Sequence, residues 1–184
     1  MIQDTLYFEN RQQWRSWLYD NCVTSKGIWL IFYRKSYRSS SGGSLTYSDA
    51  RDEALCFGWI DSFVKNIDEE RIKQYFSLRR PNGVWSKFNR DIIQKLIEQN
   101  LMTTFGLDAI EKAKANGSYY TLDAVENLVI PKELAEIFTL HREIEDAYNR
   151  LTRSKKKRII YSLFMLKTDA AKKRKALDLT QNLL

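Results

Sequence analysis

Two blocks of the sequence carry side chains that could meet a ligand. The first is Cys56-Phe57-Gly58-Trp59-Ile60-Asp61-Ser62. It runs from a predicted helix end through a turn into a predicted strand, and it offers Trp59, Asp61 and Ser62 as ligand contacts. Asp61 would be the acid–base group of an enzyme. It serves equally well as a side chain that ties the corner to backbone amides. Cys56 lies at the carboxyl end of the helix, where the dipole disfavours thiolate, and no histidine stands near it. It reads as a small buried hydrophobe.

The second block covers residues 76–89, FSLRRPNGVWSKFN. It leaves a predicted strand and enters a predicted helix capped by Ser86. The free amides and positive dipole end of a helix N-terminus accept anions. Arg79, Arg80 and Lys87 reinforce that preference, Asn89 adds a polar group, and Trp85 could stack on a planar ring. The plainer reading is an exposed basic loop over a buried tryptophan. A third feature is Arg153, Lys155, Lys156, Lys157 and Arg158, crowded at a helix start where the dipole disfavours cations. Neighbouring acids or an outside polyanion would offset that cost. Such a cluster binds nucleic acid without sequence preference and with steep salt dependence. A solvated polar face is the simplest alternative.

Other chemistry is excluded or weak. The single histidine, His141, rules out a multi-histidine metal site and a conventional catalytic triad, and it reads as an exposed helical residue. Two cysteines are too few for a disulfide scaffold. Neither a GxGxxG nor a GxxxxGK[ST] phosphate loop occurs. The acidic clusters Asp68-Glu69-Glu70 and Glu143/Glu145/Asp146 lack the apolar surroundings that raise a carboxyl pKa. No metal, no cofactor and no catalytic residue are therefore expected.

The elements that position these groups follow from composition and periodicity. With 184 residues, 43% hydrophobic and 29% charged, the chain can bury a substantial core. The net charge of +7 is uneven: residues 151–184 carry ten Lys/Arg against two Asp/Glu. Residues 21–40 and 71–90 hold four and six bases with no acid, whereas 91–150 hold eleven acids against six bases. This map suits an anionic ligand or partner. The start of the chain lacks the apolar core of a signal peptide, no apolar run approaches a membrane span, and the cysteines fit a reducing compartment. A cytoplasmic location is expected.

Residues 6–8 predict a short strand. Asn10 with Gln13 predicts a capped helix to about Asn21, with Trp14, Trp17 and Leu18 on one face. Residues 28–33 predict a buried strand. The segment 36–44, SYRSSSGGS, predicts a mobile loop. Thr46 with Asp49 predicts a helix closed by Gly58 in a left-handed conformation. Residues 59–66 and 71–78 predict two strands around an acidic turn, the first with an uncertain register. After residue 83 the pattern is helical, with starts at Ser86, Thr103, Pro131, Ser154 and Asp169 and an irregular stretch at 119–130. The expected fold is α+β: a small, largely antiparallel sheet with helices over about 1–80, packed on an all-helical part over about 85–184. Without a Pro/Gly-rich linker, one cooperative unit is expected.

Several segments resemble a known family. Residues 25–33 (SKGIWLIFY), Leu45-Thr46-Tyr47 followed by residues 53–62 (EALCFGWIDS), residues 76–89 and residues 96–107 are similar to blocks of the YdeI/OmpD-associated, or bacteriocin-protection, family. The resemblance extends from about Phe8 to Lys175. Leu78 stands where that family often has Pro, and Asn100 where it often has Gly. Asn100 can still take a left-handed cap. The resemblance implies a bacterial intracellular protein with no established catalytic activity. It further implies a role in resistance to peptide antibiotics and an envelope partner. The matching positions, taken together as one candidate site, are Trp59, Asp61, Ser62, Arg79, Arg80, Trp85, Ser86, Lys87 and Asn89.

Overall fold

The computed structural model describes residues 5–37 and 45–181. The chain divides into two compact units, Met1–Tyr120 and Thr121–Leu184. Most of the expected mobile loop, residues 38–44, lies outside the described residues. No helix among those described is long and apolar enough to cross a membrane.

The first unit runs β1 (Thr5–Leu6), α1 (Arg11–Asn21), β2 (Ile28–Tyr33), α2 (Tyr47–Cys56), β3 (Trp59–Asn66), β4 (Arg71–Leu78), α3 (Lys87–Glu98) and α4 (Thr104–Ala115). The sheet order is β1-β2-β4-β3. Only the two-residue β1 pairs in parallel; β2–β4 and β3–β4 are antiparallel. The sheet is therefore largely antiparallel and the fold is α+β. The imperfect alternation of β3 has a local cause: the register shifts between Asp61 and Val64, as a β-bulge requires.

Alternation along the strands turns Ile28, Leu30, Phe32 and Phe76 to one face, where they are at most 1% exposed. Trp14 and Leu18 of α1 and Ala50 and Ala54 of α2 belong to the same core. The large indoles are fixed by polar tips. Trp14 Nε1 donates to the Ala50 carbonyl and Trp59 Nε1 to the Cys22 carbonyl, each at 3.0 Å. One charge is buried with them. Glu53, 2% exposed, accepts from Arg11 Nε and, at 2.5 Å, from Arg15 Nη1. Ile93, Leu96, Ile110 and Ala113 bring α3 and α4 into this core. The change from strand to helix near residue 80 thus falls inside the first unit.

Local signals fix the ends. Asn10, Thr46, Ser86 and Thr103 each accept a backbone N–H three residues on, which satisfies an otherwise orphaned donor. Gly58 leaves α2 at φ +74° and Asn100 ends α3 at φ +56°. Gly106 meets a steric demand instead: a Cβ there would stand 2.3 Å from the Cys56 carbonyl oxygen.

The second unit is helical: α5 (Asp123–Glu126), α6 (Lys132–Leu140), α7 (Arg142–Asn149), α8 (Arg153–Phe164) and α9 (Asp169–Gln181). Leu134, Phe138, Ile144, Tyr148, Ile159, Leu163 and Ala176 form its own core. Three details differ from expectation. The stretch 119–130 contains the short α5. Pro131 is the N-cap of α6 rather than its first helical residue. Thr152, not Ser154, caps α8 by accepting from Lys155 N–H.

Candidate ligand-binding cleft

The first unit carries a cleft of about 350 Å³, within the range of small-molecule sites. Its floor is apolar: Cys22, Phe57 and Trp85 are at most 2% exposed. Val23, Leu78 and Phe105 stand at the rim with 69%, 50% and 40% of their surface exposed. Arg79, Arg80, Lys112 and Asp108 supply its charged groups. Four separate stretches build it. The α1–β2 turn gives Cys22 and Val23, the α2–β3 turn gives Phe57, the end of β4 and the segment after it give Leu78 to Pro81 and Trp85, and α4 presents Phe105, Asp108, Ala109 and Lys112 from one face.

Arg79 is the most constrained of the charged groups. Its backbone N–H donates to the Gly58 carbonyl at 3.0 Å, which anchors the chain as it leaves β4. Its guanidinium carbon lies 3.8 Å from the centre of the Trp85 ring, and Nη2 donates to the Val84 carbonyl at 3.2 Å. Its Nε is buried and meets no acceptor. Among the described residues no carboxylate forms an ion pair with it. Burial pulls its pKa down to about 10, opposed only by the more distant charge of Asp61. A cation held in an apolar wall, short of one acceptor and one counter-charge, is suited to receive an anion. Arg80 is exposed beside it.

The candidate residues divide. Arg79, Arg80 and Trp85 come together in the cleft. Trp59 does not: it is wholly buried and tied to Cys22. Asp61 is not among the residues that line the cleft. It accepts from Tyr47 Oη at 3.0 Å and Gln74 Nε2 at 2.5 Å, which makes it a tie between α2 and the sheet. Burial first, and then the charge of Asp61, push the Tyr47 hydroxyl up to about 12. Ser62 is exposed on β3. Ser86 caps its own helix by accepting from Asn89 N–H at 3.2 Å. Lys87 pairs with Asp91 at 2.5 Å. None of Ser62, Ser86, Lys87 and Asn89 lines the cleft. Cys56 is fully buried and its thiol is raised to about 11, first by burial and then by Glu53.

The basic start of α8 is largely engaged from within its unit. Lys157 pairs with Glu126 at 2.6 Å, Arg153 donates to the Glu126 carbonyl, and Lys156 donates to the Asn149 carbonyl at 2.9 Å. Internal partners therefore offset much of the dipole cost; Lys155 and Arg158 remain solvated. Among the described residues no group of three or more His, Cys, Asp or Glu could hold a metal. The contributions from the α1–β2 turn and α4 were not foreseen. The spacing of Phe105, Asp108, Ala109 and Lys112 on one helical face was the available signal.

Comparison with known families resolves the resemblance by region. The model described as "Bacteriocin-protection, YdeI or OmpD-Associated" matches residues 127–184. The match to the family expected from the sequence thus falls in the second unit. The blocks that suggested it lie between residues 25 and 107, inside a different match. No curated protein and no solved structure matches the chain. The second model, described as "Domain of unknown function (DUF8412)", covers residues 6–109, more than half of the chain and nearly all of the unit that carries the cleft, and the chain belongs to that family.

Proposed function

We propose that the protein is a non-enzymatic binding protein whose cleft takes a small anion carried on an apolar body, such as an aromatic or branched carboxylate or a phosphate ester. The observation that carries this reading is Arg79. Its guanidinium lies over the Trp85 ring within an apolar wall, with Arg80 beside it and, among the described residues, no carboxylate paired to it. A bidentate anion would supply the missing acceptor and counter-charge together. Leu78, Val23 and Phe105 would cover the apolar body. Protection against stress or antimicrobial peptides is the setting suggested by the bacteriocin-protection match over residues 127–184. Asp61 is held by Tyr47 and Gln74 away from the cleft, which weighs against its use as an acid–base group on a nucleotide.

The test is a thermal-shift screen of aromatic and aliphatic carboxylates, nucleotides and phosphorylated metabolites, followed by calorimetry on the best binder. Arg79→Ala/Arg80→Ala should abolish that binding while the chain stays folded. Affinity left intact by the double change would show that the arginines are structural. Conversion of the ligand, followed by mass spectrometry, would replace this reading with an enzymatic one.

A further inference from the structure

The two acid-free basic stretches of the sequence become neighbours in the sheet. Residues 28–33 and 71–78 pair as β2 and β4, with Trp29 opposite Tyr75, Ile31 opposite Lys73 and Tyr33 opposite Arg71. The alternation that buries Ile28, Leu30 and Phe32 sends these six side chains to the other face. The edge strand β3 adds Lys65 directly opposite Lys73. Like charges in directly opposed positions destabilise a sheet. Neither lysine has a carboxylate partner among the described residues.

Both ammonium groups converge on one indole instead. Lys65 Nζ and Lys73 Nζ lie 5.3 and 5.1 Å from the centre of the Trp29 ring, and the Tyr75 ring stands 5.3 Å from it. Trp29 is 7% exposed beneath them, so the ring serves as a floor that fixes two cations. Four residues along β2, about 13 Å away, half-buried Tyr33 meets Tyr7 edge-on at 5.9 Å, and Tyr7 is 39% exposed. Cations at one end of a strand and aromatic edges at both ends form a surface on which a phosphate chain and its bases can lie together.

We propose that this outer sheet face binds single-stranded nucleic acid. A phosphate sits between Lys65 and Lys73, and successive bases rest against Tyr75 and against Tyr33 with Tyr7. Ring-bearing surfaces of this kind discriminate single strands from duplexes, because only unpaired bases expose their faces. Lys155 and Arg158 of α8 have no comparable ring geometry and would add only a weak, nonspecific attraction.

The test is fluorescence anisotropy of the full chain with labelled dT20, a 20-base-pair duplex of mixed sequence, and heparin as competitor. The dT20 should bind at least tenfold more tightly than the duplex. Lys65→Ala/Lys73→Ala should weaken dT20 binding at least tenfold and reduce the slope of log affinity against log salt by about 0.7 for the one phosphate they share. Tyr75→Leu should weaken it about fivefold or more through lost stacking. Lys65→Arg/Lys73→Arg should retain binding, which separates lost charge from damage to the sheet. Lys155→Ala/Arg158→Ala should change affinity less than twofold. Equal affinity for duplex and dT20, no effect of Tyr75→Leu, or no effect of Lys65→Ala/Lys73→Ala would each overturn the proposal. Failure of dT20 to bind would also overturn it, without touching the cleft.

Discussion

Replacing Arg79 by Met separates a cation kept for binding from one kept for stability. At neutral pH the folded protein holds this guanidinium charged although burial pulls its pKa to about 10. A displacement of that size corresponds to roughly 3 kcal/mol against the charged form, and partial solvation makes this an upper bound. Two contacts oppose it. The stack on Trp85 at 3.8 Å is worth about 1–2 kcal/mol, and the hydrogen bond to Val84 about 1 kcal/mol. Methionine keeps most of the apolar stem and removes both the cost and the contacts. Arg79→Met should therefore leave stability in urea within about 1 kcal/mol of the parent, while anion affinity in the cleft is lost. The pH dependence has a definite sign. Between about 10 and the ordinary arginine value the unfolded chain binds the extra proton, so the contribution of this group to stability rises with pH in that window. A bound anion favours the charged form, so ligand affinity should fall as pH rises through about 10, measured by calorimetry at pH 8 and pH 10.5. The reasoning is refuted if Arg79→Met loses more than about 2 kcal/mol and binds the same anions as tightly as before.

Two further substitutions test the frame behind the cleft. Glu53→Ala strands Arg11 and Arg15 beside the core, and the urea midpoint should report a loss of about 3 kcal/mol or more; a loss below 1 kcal/mol would mean that both arginines regain water freely. Gly106→Ala drives a methyl group to 2.3 Å from the Cys56 carbonyl. Its melting temperature should fall by several degrees, as for a core clash of about 1–3 kcal/mol, and an unchanged melting temperature would show that α4 can move away from α2 without cost.

Most of the first unit was legible because its signals are local. Asn10, Thr46, Ser86 and Thr103 cap helices from side chains three residues away from the amides they satisfy. The alternation of residues 71–78 gave β4 its full length. What stayed hidden depends on contacts distant in sequence. Gln74 is 6% exposed because it meets Asp61 across the sheet, so a residue that reads as an exposed strand position is a buried tie. Trp59 and Trp85 look alike as candidate stacking rings, yet one is closed into the core by Cys22 and the other floors the cleft. The four residues of α5 are too few to hold a helix by propensity; Arg153 and Lys157 of α8 engage Glu126 at its end.

The bulge in β3 also bears on how the protein behaves at high concentration. β3 is the last strand of the sheet, and Phe63 and Val64 on it are 69% and 53% exposed. A long, regular apolar edge of that kind would recruit other strands and seed aggregation. The shifted register between Asp61 and Val64 breaks the row of free amides and carbonyls, and Lys65 follows at once with an exposed charge. The irregularity that blurs the strand in the sequence thus acts as a guard on the sheet's open side. Straightening it would create a sticky edge before it weakened the fold.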